Sequence, residues 1–312
     1  MADLEPLPNL APVANLVRYA WFVLVFNVGV ILLGALVRAT GSGAGCGSTW
    51  PTCDGRLIPQ LGGDTSIEFT HRTMSGIALI LVFLLALMVW RQTSKGELAR
   101  VGATLSVIAI VGEALIGAMI VLAEWVAEDT SVARVVSVPL HLVNTLFLLA
   151  ALALTIFWLS GGGRLDFKRN PAATRAVIAG GVALILLAAT GAVTALADTL
   201  FPKASPTELI VEEHFLTRLR IVHPVLAVVA AVIGWVVASR SPNGRTGAAK
   251  ALPVLVGLML LTGVANVALG VPVWMQLVHL GLADALWIAY VFTAAGALQV
   301  TTTSEHRLSP SR

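Results

Sequence analysis

The sequence predicts an all-α integral membrane protein, with eight transmembrane helices forming two parallel four-helix bundles related by a pseudo-two-fold axis. The first observation is composition: 57% of the 312 residues are hydrophobic, 12% are charged and the mean hydropathy is +0.87, whereas about a quarter of a soluble domain is charged. The second is eight apolar runs, each long enough to cross about 30 Å of hydrocarbon. The third is that the pattern of runs repeats after the fourth.

The apolar runs are rich in Leu, Val, Ala and Ile and lack the alternation of transmembrane β-strands, so we predict helices. The predicted spans 1 to 8 cover approximately 18–40, 67–90, 101–123, 138–159, 174–197, 217–239, 250–270 and 274–297. Span 1 follows Asp3 and Glu5 rather than a basic segment, and it is longer than the apolar part of a signal peptide. We therefore expect it to remain in the chain.

Basic residues between the spans predict the orientation, because loops rich in Lys and Arg stay in the cytoplasm. Thirteen of the 20 basic residues fall on one side: Arg18, Arg91, Lys95, Arg100, Arg164, Lys168, Arg169, Arg175, Arg240, Arg245, Lys250, Arg307 and Arg312. The other side holds the less basic loops 41–66, 124–137 and 198–216. We expect a multi-pass protein of the cell (plasma) membrane, surrounded by lipid, with both termini cytoplasmic. The net charge of +3 belongs to these loops, so nucleic-acid binding is not supported.

The only two cysteines, Cys46 and Cys53, lie in the first outer loop, where an oxidising compartment favours a disulfide. Closing so short a loop would contribute roughly 2–3 kcal/mol in the chain-entropy model. The alternatives are two free thiols or two metal ligands. The second alternative is weak, because loop 41–66 contains no further Cys or His.

An internal repeat places histidines at matching positions of the two halves. The end of span 1, Leu32–Gly41, resembles Leu186–Ala195 of span 5. Spans 2, 4, 6 and 8 each carry one histidine near the outer end: His71, His141, His223 and His279, respectively. Four spans return the chain to its starting side, so the copies must be parallel. We therefore divide the chain into an N-terminal half, 1–160, and a C-terminal half, 161–312.

Histidines inside apolar helices are costly and indicate function, although a hydrogen-bonded structural role is the alternative. If the second and fourth helices of each half face each other, His71 opposes His141 and His223 opposes His279. Two imidazoles facing across a four-helix bundle are typical axial ligands of a heme iron. Zinc is less supported, because it would need further ligands and only Glu68 is close in the first half.

Heme propionates would need cations at the membrane edge, and four arginines lie at the outer rim. They are Arg38 and Arg72 in the first half, and Arg218 and Arg220 in the second. The alternative is that these side chains simply extend to the membrane surface.

The halves differ at one chemically important position. Glu68 precedes His71 by three residues, whereas Arg220 precedes His223 at the matching position. A carboxylate beside an iron can move protons or stabilise a developing cation, so we interpret the first half as catalytic and the second as a cofactor site. Alternatively, Glu68 caps the start of span 2 or pairs with Arg72, and Glu113 of span 3 is then the reserve candidate.

These motifs resemble the heme A synthases of aerobic bacteria and mitochondria across essentially the whole membrane region. In the first half the matching segments are Gly34–Cys46, Trp50–Gly55, Glu68–Arg72 and His141–Asn144. In the second half they are Thr194–Asp198, His223–Ala227 and Gln276–Leu280. The sequence departs from the family at Pro224, which follows the second-half histidine where the first half has Arg. It also lacks the second cysteine pair that some members carry before span 6.

The resemblance implies an oxidoreductase that converts a methyl group of heme O into the formyl group of heme A for terminal oxidases. It implies that His71 and His141 belong to the substrate site, that His223 and His279 hold the iron of heme b, and that Glu68 is catalytic. The loop cysteines of the family match Cys46 and Cys53. The expected partners are a heme O synthase as heme donor and the assembly of terminal oxidases, with a homo-oligomer left open.

Two other classes of function are compatible with four intramembrane histidines. A diheme electron carrier or quinol oxidoreductase would use two bis-histidine hemes without altering either one, and would not need Glu68. A heme exporter or chaperone would use the histidines as transient ligands, but would require large soluble partners or extramembrane loops. Identification of the bound hemes distinguishes these classes.

Overall fold

The computed structural model describes residues 11–201, 215–239 and 247–300, and the ordered elements in these ranges are almost all helices. In chain order they are α1 (Ala11–Ala39), α2 (Gly63–Gln92), α3 (Leu98–Leu122), α4 (Val132–Leu159), α5 (Pro171–Leu200), α6 (Phe215–Leu219), α7 (Val222–Ser239), α8 (Gly247–Ala268) and α9 (Val273–Leu298). A short 3₁₀ turn, Ser42–Ala44, follows α1. Both termini, and much of the predicted outer loop 198–216, lie outside the described residues.

Seven helices in the described part of the chain are long and apolar enough to cross a membrane. They correspond to predicted spans 1 to 5, 7 and 8, namely α1 to α5, α8 and α9. Span 6 corresponds to α7, whose described apolar part is the shorter stretch Val222–Ala231. This helix begins later than the predicted 217. Pro224 lies in its first turn, where proline is tolerated because its missing N–H is not needed.

The helix ends are set by local capping as well as by hydropathy. Ser131 caps α4 by accepting a hydrogen bond from the Arg134 N–H, at 3.3 Å. This cap starts the helix at Val132, earlier than the hydropathy pattern predicts. Asn170 caps α5 by accepting from the Ala173 N–H at 3.1 Å, with Pro171 as the first helical residue.

Neighbouring helices pack together within each half. In the first half α1 contacts α2, α2 contacts α3, α3 contacts α4, and α4 returns to α1. In the second half the corresponding contacts join α5 to α7, α7 to α8, α8 to α9, and α9 to α5. The halves meet where α9 packs on α1 and α4, and where α5 packs on α1 and α4. In each group of four helices the contacts therefore return from the last helix to the first.

The buried apolar core is concentrated in α1 to α4 and extends to the inner face of α9. Trp287 of α9 donates its indole N–H to the Leu146 carbonyl of α4 at 2.7 Å, which fixes the contact between the halves. Large apolar side chains on the outer helix faces, such as Phe83, Ile108 and Val264, are exposed. A bilayer would cover such surfaces, so the outward-facing apolar residues agree with a membrane protein.

Candidate functional site

His223 of α7 and His279 of α9 face each other in the second half. Their ring centres are 6.4 Å apart, and their planes are nearly perpendicular, at 83°. His223 Nδ1 lies 3.0 Å from the Leu187 carbonyl of α5, and His279 Nδ1 lies 3.0 Å from Thr262 Oγ1 of α8. Each ring is therefore held on the side of Nδ1 by the preceding helix.

This pair fits an iron held from both sides. Two imidazoles that bind one metal at about 2 Å from opposite faces have ring centres about 6 Å apart, close to the observed separation. A hydrogen bond at Nδ1 orients the ring and leaves Nε2 as the ligand atom, the usual arrangement around ligating histidines. Among the described residues, no group of three or more His, Cys, Asp or Glu side chains is placed to hold one metal ion.

The first-half histidines lie on two spans of the same half, His71 on α2 and His141 on α4. His141 Nδ1 is 3.0 Å from Glu113 Oε2 of α3. Glu113 in turn accepts a hydrogen bond from Asn144 Nδ2 at 2.6 Å, and its second oxygen lies 3.1 Å from Thr145 Oγ1. Glu113 was only a reserve candidate from the sequence, but it is the carboxylate in direct contact with a first-half histidine.

A glycine on the preceding helix lies beside each of the four histidines. The pairs are Gly34 with His71, Gly117 with His141, Gly191 with His223, and Gly263 with His279. A Cβ added at Gly34 would lie 2.9 Å from His71 Cε1, and one at Gly191 would lie 3.0 Å from His223 Cε1. The contacts at Gly263 and Gly117 are looser, at 3.5 and 3.9 Å. The glycines that recur on the odd-numbered spans are visible in the sequence. Only the structure shows that each one lies beside a histidine ring.

Glu68 is buried at the start of α2, where it joins the outer loop to the helix. Its Oε1 lies 2.5 Å from Arg72 Nη2, and its Oε2 accepts the Cys46 backbone N–H at 2.8 Å. Arg72 also donates to the carbonyls of Thr49 and Thr52, at 2.6 and 2.7 Å. The pairing that the sequence left open as an alternative is present, and the catalytic role of Glu68 stays a prediction.

The predicted disulfide between Cys46 and Cys53 is confirmed, and both cysteines are fully buried. The loop also contacts the start of α2 through its backbone. Thr65 Oγ1 donates to the Gly45 carbonyl at 2.7 Å, and a Cβ at Gly45 would lie 2.5 Å from the Asp64 backbone. Glycine is therefore required at position 45 for this close approach.

Arg38 of α1 reaches the second half instead of standing free at the rim. It donates to the Ala195 carbonyl and to Thr199 Oγ1, both at 2.7 Å, and to Gln276 Oε1 at 2.8 Å. These acceptors lie on α5 and α9, so Arg38 links the two halves near their outer ends.

The other proposed propionate ligands have different surroundings. Arg220 forms an ion pair with Asp198 at 2.8 Å and donates to the carbonyls of Ala197 and Phe201. The side chain of Arg218 lies outside the described residues. Propionate binding by Arg38, Arg72, Arg218 and Arg220 stays a prediction.

Comparison with known proteins places this arrangement in a family. The family described as COX15-CtaA, cytochrome oxidase assembly protein, matches residues 17–64 and 62–291. The chain is 48% identical to a protoheme IX farnesyltransferase of Thermus thermophilus, over 92% of this chain and 49% of that protein. It thus spans about half the length of this relative.

Relatives named heme A synthase match a shorter part of the chain. The protein of Shouchella clausii is 44% identical over 30% of this chain and 33% of its own length. The protein of Bacillus mycoides is 46% identical over 28% of this chain and 29% of its own length. Since the family match extends over both histidine pairs and nearly all of the described helices, this chain belongs to the COX15-CtaA family of cytochrome oxidase assembly proteins.

Proposed function

We propose that this chain is a heme A synthase, which oxidises a methyl substituent of heme O to the formyl group of heme A. The observation that carries the proposal is that His141 of the first pair contacts a carboxyl group, that of Glu113 at 3.0 Å, whereas His223 and His279 of the second pair contact a carbonyl and a hydroxyl. The relatives named heme A synthase in Shouchella and Bacillus support the same activity.

The C-terminal half, 161–312, is the proposed resident cofactor site, where His223 and His279 would hold heme b. When bound, this heme supplies one-electron transfer. Leu187 and Thr262 hold the two Nδ1 atoms, so both Nε2 atoms are available to the iron. The protein would thus supply two histidine ligands whose ring orientations are fixed by hydrogen bonds.

The N-terminal half, 1–160, is the proposed substrate site, where His71 and His141 would hold heme O. Oxidation of its methyl group removes electrons and protons and adds one oxygen atom. A preorganised carboxylate stabilises positive charge that develops on the reacting carbon, and does so more strongly in a low-dielectric site than in water. Glu68 is the proposed carboxylate, and Arg72 together with the Cys46 N–H fixes its position.

The two halves are proposed to be parallel copies related by a pseudo-two-fold axis along the membrane normal, with α7 completing eight spans. The matching helix contacts and the four glycine–histidine pairs support this arrangement. The basic loops support an orientation in the cell membrane with both termini in the cytoplasm and the histidines toward the outer side.

A heme farnesyltransferase is the proposed source of heme O. The Thermus relative bears that name, and this chain matches about half of it. The product is proposed to enter the assembly of terminal oxidases, in agreement with the family description. A homo-oligomer is compatible with both steps.

The proposal is tested by extracting and identifying the pigments of the purified protein. Heme b together with heme O, its hydroxylated form or heme A is the expected result. Two unmodified hemes b, with no conversion of supplied heme O, would instead identify an electron carrier, and weak occupancy of both halves would favour a transporter.

The site assignment is tested with His223→Leu and His279→Leu. Each should abolish the low-spin spectrum of heme b while the first half still binds heme O. His71→Leu and His141→Leu are the matched variants, and they should show the reverse pattern. If neither second-half variant changes the spectrum, the pairing is wrong.

A further inference from the structure

The histidine partners differ in chemical type between the two halves. In the second half, His223 and His279 face a carbonyl and a hydroxyl, both neutral groups. In the first half, His141 faces the carboxyl group of Glu113 at 3.0 Å. A negative charge close to Nδ1 of a ligating histidine makes that ligand more electron-donating than a neutral neighbour does.

Neighbouring side chains hold Glu113 in place from both α3 and α4. Asn144 donates to Glu113 Oε1 at 2.6 Å and to the Ala109 carbonyl of α3 at 2.9 Å, so its amide bridges the two helices. A Cβ added at Gly112 would lie 2.9 Å from Asn144 Oδ1, which leaves the amide little room to move. Asn144 and Thr145 follow His141 by three and four residues, so all three share one face of α4.

We propose that Glu113 is a positioning residue whose carboxylate, 3.0 Å from Nδ1 of His141, makes His141 the most strongly electron-donating of the four heme ligands. This inference rests on the proposed function, because it requires a heme iron in the first half. A more basic ligand stabilises the oxidised iron. Transfer of one electron from the first-half iron to the second-half iron would then be favoured over transfer in the opposite direction. Oxidation chemistry in the first half requires electrons to leave in this direction.

The test uses the full-length chain in detergent, loaded with hemin and followed by redox titration and resonance Raman spectroscopy. The signal that is lost in His71→Leu identifies the first-half heme. Glu113→Gln keeps the size and the acceptor oxygen but removes the charge, so the midpoint potential of the first-half heme should rise and its iron–histidine vibration should weaken. The second-half potential should not move.

Thr262→Val is the matched control, because it removes the Nδ1 partner of His279. It should alter the second-half signal and leave the first-half potential at the parental value. If Glu113→Gln leaves the first-half potential and vibration unchanged, Glu113 acts only in packing and the inference is overturned.

Asn144→Ala provides a second test if the Glu113 variant does not retain heme. Loss of the Asn144 hydrogen bond removes the side chain that holds Glu113 beside His141, so the first-half potential should rise, as it does in Glu113→Gln. An unchanged or lowered potential would overturn the inference. If the unaltered chain shows no heme bound through His71 and His141, the proposed function fails instead, and the two failures are thereby distinguished.

Discussion

At the scale of single residues, Glu68 forms an ion pair with Arg72 and is also the proposed catalytic carboxylate. The sequence presented these two roles as alternatives. Both side chains are almost fully buried, with exposed fractions of 4% and 10%. Buried charges are costly unless they are paired and hydrogen-bonded. Here the Cys46 N–H and the carbonyls of Thr49 and Thr52 supply the additional hydrogen bonds. The pair can therefore hold the outer loop and keep a carboxylate fixed beside the first-half site.

Glu68→Gln should lower heme A formation by a factor of about 10²–10³, the usual effect of losing one such electrostatic contact. The amide keeps the size of the side chain and can still accept the Cys46 N–H, but Arg72 loses its carboxylate partner, so the free energy of unfolding should also fall. Heme A formation is therefore compared at equal heme content. Product analysis after supplying heme O gives the rate. An electron carrier would be little affected by the change.

The double variant Cys46→Ser, Cys53→Ser separates the two roles of Glu68. It loosens the loop but leaves the carboxylate in place, so heme A formation should fall much less than in Glu68→Gln. Equal losses in the two proteins would mean that Glu68 acts by holding the loop, and the catalytic role would pass to another group.

Arg38→Gln tests whether the link between the halves stabilises the second site. The variant loses hydrogen bonds to Ala195, Thr199 and Gln276, with a total cost of about 1–3 kcal/mol because the donor of these bonds is charged. The thermal loss of the heme b spectrum should therefore begin several degrees lower. Arg18→Gln, an exposed position on the same helix, is the control. Equal melting of the two variants would contradict a linking role.

The disulfide predicted from the sequence is confirmed. The four histidines were singled out because ionisable residues in an apolar background are conspicuous, and their role as heme ligands stays a prediction. The sequence did not identify the contact between Glu113 and His141. That contact depends on the rotation of α3 about its axis and on the crossing of α3 and α4, which hydropathy does not define. Arg38 was similarly assigned to the rim, because its length alone could not show that it reaches across to α5 and α9.

At the scale of helices, glycine allows α1 and α5 to approach the histidine rings of α2 and α7 closely, at Gly34 and Gly191. Small residues let membrane helices pack at short distance, where lipid provides no hydrophobic force between them. In α1 the glycines have different surroundings: Gly34 adjoins the His71 ring, while a Cβ at Gly29 would meet no atom within 4 Å. Helix α1 thus offers a position to test, Gly34, and a control position, Gly29.

Gly34→Ala should weaken heme binding in the first half by about tenfold, or about 1.4 kcal/mol. The new methyl group would lie 2.9 Å from His71 Cε1, so the ring must shift from its present position. Gly29→Ala gains the same helix propensity without the contact and should bind heme normally. Titration with hemin, followed at the low-spin absorption of the first-half heme, measures the difference. Equal affinity in the two variants would show that the ring position is not limiting.

The existence of the helices was easier to predict than their ends. Seven of the predicted spans agree with helices of suitable length and composition in the described part of the chain. The start of α4 differs, because Ser131 extends the helix by a full turn and more beyond the apolar run. Hydropathy measures the apolar segment, whereas capping determines where the backbone hydrogen bonds begin.

At the scale of the whole molecule, the interface between the halves combines polar and apolar contacts. Arg38 joins the end of α1 to α5 and α9, and Trp287 joins α9 to α4. Both contacts connect residues far apart in the sequence. A local pattern can indicate a repeat, but the way the two copies pack depends on such distant contacts.

The orientation of the molecule is predicted from the distribution of charge and can be tested with two single cysteines. Ser94 and Thr130 are both exposed, in the loop between α2 and α3 and in the loop between α3 and α4, respectively. The native cysteines are joined in a disulfide and do not compete for the label. Because Lys95 and the neighbouring basic residues resist translocation, Ser94→Cys should react with a membrane-impermeant maleimide only after cells are permeabilised. Thr130→Cys should react in intact cells, and the reverse pattern would place the histidines toward the cytoplasm and refute the orientation.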